Sequence, residues 1–411
     1  MKRALTVLLV ISTAAPAFPQ TPAVTTGIEV LRDELFAPLK GKRVGLITNP
    51  TGVDSRLRST VDILKSAPGV RLVALFGPEH GVRGDHAAGD RVDSYTDRET
   101  GLPVYSLYGK TRKATPEMPK GIDVLVYDIQ DIGCRSYTFI STMGLAMESA
   151  AENKIPIVVL DRPNPLGGLR MEGNPVERGF ESFVSQYAVP YVYGLTCGEL
   201  AGYLNDEGLL SGGVHCSLTV IPMKGWKRGM TFDDTGLPWV PTSPHIPETR
   251  SPAYYACSGM LGELGVISEG VGYTTPFQIF AAGWIDPKPV AEKLNRIGLP
   301  GVLFRPIVFT PYYGKFKDKM LRGVQVHIAP GSTAHLMSIQ FLFMQVNNEM
   351  YPEKNPFLMA DPERLRSFDR VAGSDSVRLL FTKRMKYEDL KRFLEKGLDG
   401  FRQRAQKHML Y

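Results

Sequence analysis

The sequence is poor in several things at once, and each shortage removes a class of function. Only 4 of its 411 residues are cysteine. Cys134, Cys197, Cys216 and Cys257 are too few and too widely spaced for a disulfide scaffold, and they form no C-x-x-C motif. No block of Lys and Arg is interleaved with aromatics, and the formal net charge of +6 is spread along the chain, so nucleic acid is not an expected partner. Past the N-terminus no apolar run approaches about 20 residues, so no membrane span is expected. No G-x-G-x-x-G follows the first apolar strand, and neither a G-x-S-x-G elbow nor an H-E-x-x-H pair occurs. Dinucleotide binding, serine hydrolysis and zinc proteolysis therefore lack their usual signatures, and no cofactor or metal is expected.

What is present is the composition of a soluble globular protein, 43% hydrophobic and 22% charged, at a length that allows two domains. Residues 1–20, MKRALTVLLVISTAAPAFPQ, read as a cleaved signal peptide: two charges, a short apolar stretch, then small residues and proline. A periplasmic or secreted location follows from that reading.

From Lys42 to about Ile221 apolar runs alternate with helical patterns, which predicts an α/β fold with a doubly wound, Rossmann-like parallel sheet. Residues 26–232 are expected to form this domain, and 233–411 a smaller α/β domain with a cleft between the two. The segment from Trp226 to Pro252 is long, rich in proline and aperiodic, as functional interdomain segments often are. Predicted helices near the end include one over Tyr387–Lys407.

Four strands end alike, an apolar run stopping at polar or breaker residues: Asn49-Pro50, Gly77-Pro78-Glu79-His80, Asp128-Ile129-Gln130-Asp131 and Asp161-Arg162. Parallel topology puts such ends on one rim, where open α/β sheets bind ligands. Acids there suit glycoside cleavage, which needs a proton donor for the leaving oxygen. Glu79, framed by Phe76, Pro78 and His80, is the strongest candidate acid. Its bland reading is a surface carboxylate paired with Arg83. A metal set drawn from Glu79, His80, Asp85, His86 and Asp90 is a weaker alternative, because neighbouring Glu79 and His80 point in different directions on most backbones. The main non-enzyme alternative is a periplasmic sugar- or muropeptide-binding protein, which needs no acid in its cleft. Trp226 and Trp239 read as core anchors before sugar platforms, and Glu199 as a helix-start acid.

Taken together, the strand-end motifs resemble one family. They are VGLITNPTGV at Val44–Val53, FGPEHG at Phe76–Gly81, YDIQDIGCRSYT at Tyr127–Thr138, LDRPNPLGG at Leu160–Gly168 and YGLTCGEL at Tyr193–Leu200. The likeness to the NamZ-type exo-β-N-acetylmuramidases runs from the first strand to Leu410-Tyr411. It implies release of N-acetylmuramic acid from non-reducing ends of peptidoglycan fragments, with Glu79 as general acid/base and His80 beside it. It also implies a sugar site lined by Asn49, Gln130, Asp131, Arg135, Tyr137, Asp161, Arg162, Asn164, His245 and Glu269. Arg135 or Arg162 could pair with the lactyl carboxylate of the sugar, and the acetamido group could serve as nucleophile in place of a second carboxylate. Three departures fall near that site and bear on which sugar is taken. Gly270-Val271-Gly272-Tyr273 lacks the family's usual arginine, Thr242-Ser243-Pro244-His245 replaces Pro-Ser-Pro-Asn, and Ser136 replaces an aromatic. The sequence leaves open whether the chain forms a homodimer.

Overall fold

The computed structural model describes residues 23–84 and 93–411. Its larger sheet has seven strands: β1 (Arg43–Thr48), β2 (Arg71–Gly77), β3 (Tyr95–Thr96), β4 (Pro103–Ser106), β5 (Val124–Asp128), β6 (Ile157–Leu160) and β7 (Leu218–Ile221). Their spatial order is β3-β4-β2-β1-β5-β6-β7. All pairings are parallel except the two-residue edge strand β3 on β4. Without β3 the order reads outward in both directions from β1, the doubly wound topology, and the strand order reverses between β1 and β5.

Alternation along the strands makes two apolar faces. Val44, Leu46, Leu75, Val126 and Leu160 pack on one side with the helices α1 (Gly27–Asp33) and α2 (Thr60–Ser66). Ile47, Phe76, Tyr127 and Val159 pack on the other with α3 (Phe139–Glu152) and α4 (Cys197–Asp206). Local signals start these helices as the sequence suggests. Ser59 accepts from Val61 N at the head of α2, and Thr196 and Glu199 form a capping box on α4.

The second sheet is antiparallel, with β8 (Ile279–Ala282), β9 (Val302–Phe309) and β10 (Leu321–Ile328) in the order β8-β10-β9. It shares a core with α5 (Ser251–Gly262), α6 (Pro287–Arg296) and α7 (Ser338–Met350). Gly323 lets β10 close on β8, since a Cβ there would come within 2.0 Å of Phe280 O. Beyond the short α8 (Pro356–Met359) lie α9 (Pro362–Ala372), α10 (Ser376–Thr382), α11 (Glu388–Leu394) and α12 (Leu398–Ala405). The expected single helix over 387–407 is thus two, broken where Gly397 turns left-handed at φ 82°.

The chain then returns to the first sheet. Phe401 meets Tyr203 edge-on, Leu410 N donates to Glu199, and the Tyr411 hydroxyl donates to Asp161 while accepting from Met223 N. Trp226 is buried edge-on against Tyr411, and Trp239 packs on Phe232. All four cysteines are buried and free. Among the described residues no helix is long and apolar enough to cross a membrane.

Candidate active site

β2 ends at Gly77, whose carbonyl accepts from Leu107 N, and Pro78 then directs the chain off the sheet. Gly81 N closes a turn on Pro78 O at 2.9 Å. Inside that turn His80 is left-handed at φ 72° and Gly81 at φ 75°. A side-chain-bearing residue in this region costs about 1–2 kcal/mol, the kind of strain that clusters at functional sites. The turn buries His80 and leaves Glu79 half-buried at the rim.

Thr138 Oγ1 donates to Glu79 Oε2 at 2.9 Å. Thr138 is the N-cap of α3, yet its hydroxyl caps no amide of that helix. Its hydroxyl proton goes to Glu79 instead, at the end of the helix where the dipole favours an anion. The Tyr108 phenol lies beside the same carboxylate. Its pKa is raised, first by burial and then by the Glu79 charge. Tyr137 is also pushed up, mainly by burial. Its hydroxyl donates to Thr242 Oγ1 at 2.8 Å, and its ring meets Phe139 and Tyr255 edge-on. His245, from the segment before α5, lies near His80. Burial pushes its pKa down, the His80 charge adds to that, and its ring stacks on Tyr313. The site thus joins Glu79 and His80 to Tyr137 and His245. Arg83, the cation nearest Glu79 in sequence, is instead held in a fork on Asp97. Asp85, His86 and Asp90 lie outside the described residues, as does the expected signal peptide. Among the described residues no three His, Cys, Asp or Glu side chains are arranged to hold a metal ion.

The residues at the other strand ends are held largely by internal hydrogen bonds. Arg135 is fully buried. Its guanidinium donates to Asn174 O, Val189 O, Val371 O, Ala372 O and the Ser185 hydroxyl. It therefore caps the negative C-terminal end of α9 from the other half of the chain and has no donor left for a substrate carboxylate. Burial lowers its pKa to about 10, so it stays charged at neutral pH. Arg162 is buried in an ion pair with Asp128 and also donates to Val53 O. Asp161 accepts from Arg162 N, Thr196, Gly198 N and Tyr411, and Asn164 bonds Leu195 O and Leu166 N. Gln130 donates to Asp131 O and Pro163 O. Asn49 Oδ1 holds Thr51, although its Nδ2 is buried without a partner. These residues build the rim, most of their polar atoms being spent on internal partners.

Asp131 is intermediate in character. It accepts from Gly133 N and the Tyr193 hydroxyl, yet its Oδ1 is buried with no donor, and burial raises its pKa to about 7. Glu269 stands apart. It packs on Gly262 at the end of α5, seven residues or about 10 Å along the axis from Tyr255. Burial, with Glu263 adding to it, lifts its carboxyl to about 7.

Residues 44–250 match the family described as exo-β-N-acetylmuramidase NamZ, N-terminal, and residues 253–411 match its C-terminal counterpart. The chain belongs to the NamZ exo-β-N-acetylmuramidase family. It is 45% identical over 406 residues to the peptidoglycan β-N-acetylmuramidase NamZ of Bacillus subtilis, covering 97% of this chain and 96% of that protein. Two crystal structures of DUF1343 family proteins from Bacteroides fragilis are similar. The first has 57% identity and a TM-score of 0.92, covering 95% of this chain and all of the other. The second has 25% identity and a TM-score of 0.72, covering 94% and 99%.

Within this NamZ-family site, sequence reasoning missed Tyr108, Thr138 and Thr242. Thr138 closes the YDIQDIGCRSYT motif and precedes a clear helical pattern, so its position was readable although its partner was not. Tyr108 follows the short strand β4, in a stretch with no periodic signal.

Proposed function

We propose that this protein is an exo-acting glycosidase that releases N-acetylmuramic acid, or a closely related amino sugar, from non-reducing ends of peptidoglycan fragments. Glu79 is its general acid. The observation that carries this reading is the state of Glu79: half-buried at the rim, held by Thr138 and bordered by Tyr108 and the strained His80. Glu79 protonates the glycosidic oxygen as the bond to the anomeric carbon breaks, and Thr138 fixes the carboxyl orientation for that transfer. His80 shapes the turn and, with His245, the wall facing it. Among the described residues the rim carboxylates Asp128 and Asp161 are engaged internally, and Asp131 is fully buried. This supports the sugar's own acetamido oxygen as the nucleophile.

The test is release of chromogen from a 4-nitrophenyl β-N-acetylmuramide. Wild type is expected to release it and Glu79→Gln to be nearly inactive; no release by wild type, or undiminished release by the variant, would sink the assignment. Residues 1–20 are proposed to direct export to the periplasm or beyond. N-terminal sequencing of protein from the exported fraction checks this, with a first residue between Phe18 and Thr21 expected.

A further inference from the structure

With every Arg135 donor spent internally and Arg162 neutralised by its buried ion pair with Asp128, another cation would serve the acidic sugar proposed above as substrate. Arg112 has the required features. Its guanidinium carbon lies 3.4 Å from the centroid of the Tyr108 ring and 4.6 Å from that of Phe183. The two rings are 5.9 Å apart and inclined at 55°, so the guanidinium sits in the wedge between them. Its Nη1 is buried with no hydrogen-bond partner. The adjacent Lys113 takes Glu148 and Glu152, while Arg112 forms no ion pair with a carboxylate among the described residues.

A buried guanidinium nitrogen left unbonded is costly, and stacking on two rings offsets only part of that cost. What stacking does provide is a fixed plane, with the edge of the guanidinium held ready for a carboxylate fork. The location is specific as well, because Tyr108 touches Arg112 with its ring and borders the Glu79 carboxylate with its phenol. An anion on Arg112 is thus separated from the proton donor by a single aromatic side chain. N-Acetylmuramic acid has this layout: its lactyl carboxylate hangs from C3, two ring carbons from the anomeric centre where Glu79 must act.

We infer that Arg112 is the specificity-determining residue that binds the lactyl carboxylate of the terminal muramic acid, stacked in place by Tyr108 and Phe183. This inference rests on the function proposed above.

The experiment compares 4-nitrophenyl β-N-acetylmuramide with its lactyl methyl ester, which keeps the shape and removes the charge. Wild type is expected to favour the acid over the ester by roughly 10- to 100-fold in kcat/KM, chiefly through KM. Arg112→Leu should bring that ratio close to one, and Arg112→Lys, which keeps charge without the fork, should fall between. Arg112→Leu retaining the acid preference, or losing equally on both substrates, overturns the inference. Calorimetric binding of free N-acetylmuramic acid against N-acetylglucosamine gives a second readout that needs no turnover. Loss of the preference for the acid in Arg112→Leu supports the inference even if wild type releases no chromogen, and an unchanged preference overturns it. Failure of the glycosidase reading is seen separately, as absence of chromogen release by wild type. An unchanged thermal midpoint of Arg112→Leu confirms that the variant is folded.

Discussion

At the carboxyl end of β2, Glu79 stands half-buried on a strained turn with a threonine hydroxyl donating to it. At the carboxyl end of β6, Asp161 is enclosed and takes two backbone amides and two hydroxyls. Both acids follow a buried parallel strand, and both lie on the same rim. The difference is in where the chain goes next. Pro78 and the left-handed pair His80-Gly81 carry the backbone away from the sheet at once, and Glu79 is left half-buried rather than enclosed. The Asp161 carboxylate instead meets the head of α4, where the Gly198 amide and the Thr196 hydroxyl both donate to it. An acid at a strand end becomes chemistry when its neighbours leave it one face, and architecture when they take every lone pair.

The contrast can be broken most forcefully at Glu79. Glu79→Gln should lower kcat roughly 10²- to 10⁴-fold, the usual worth of a general acid. Its thermal midpoint should stay within about 3 °C of wild type, as for an exposed-side substitution. A large loss of stability would place Glu79 with the architectural acids instead. The opposite behaviour is expected of Arg135. Arg135→Met strands a set of buried carbonyls and should cost about 3–5 kcal/mol in urea unfolding, and whatever activity remains should belong to the folded fraction.

Asp131 tests the ground between. Its folded pKa is about 7 against an ordinary 3.8, raised by burial, so the folded protein keeps a proton that the unfolded chain has released. The associated stability is fully present below about pH 4 and is lost as pH rises to 7. At about 1.4 kcal/mol per unit the loss is at most about 4 kcal/mol. Urea midpoints measured from pH 5 to 8 should fall in wild type and flatten in Asp131→Asn, and an unchanged slope would assign the pH dependence elsewhere. The smallest effect is expected at the end of the chain: Tyr411→Phe removes one donor from Asp161 and one acceptor from Met223 N, worth about 1–2 kcal/mol.

Much of the fold was legible because buried parallel strands are nearly continuous apolar runs bounded by breakers, as at Arg71–Gly77 and Ile157–Leu160. β8 was not, because Ile279–Ala282 is a short apolar stretch that could equally be buried helix. Its identity comes only from pairing with β10. Glu79 could be picked out through Gly77 and Pro78, which act locally. The role of Arg135 could not, because its partners are backbone carbonyls and any residue can supply those. Val371 and Ala372 do so from the other end of the chain. Arg112 was equally silent, since its setting depends on two rings contributed by separate loops.

The burial of Tyr411 beside Asp161 has a consequence for the order in which the protein can be finished. Residues 43–221 contain every strand of the large sheet, yet the shell around Asp161 and Glu199 is complete only when Leu410 and Tyr411 arrive. A ribosome making this chain releases all the strands of the first layer long before the residue that closes one of its buried acids. That closure joins points 250 residues apart, a contact of very high sequence separation and a slow one to form. The sheet around that rim therefore matures last where it was begun first, and the protein reaches its final packing as one unit rather than as two halves completed in turn.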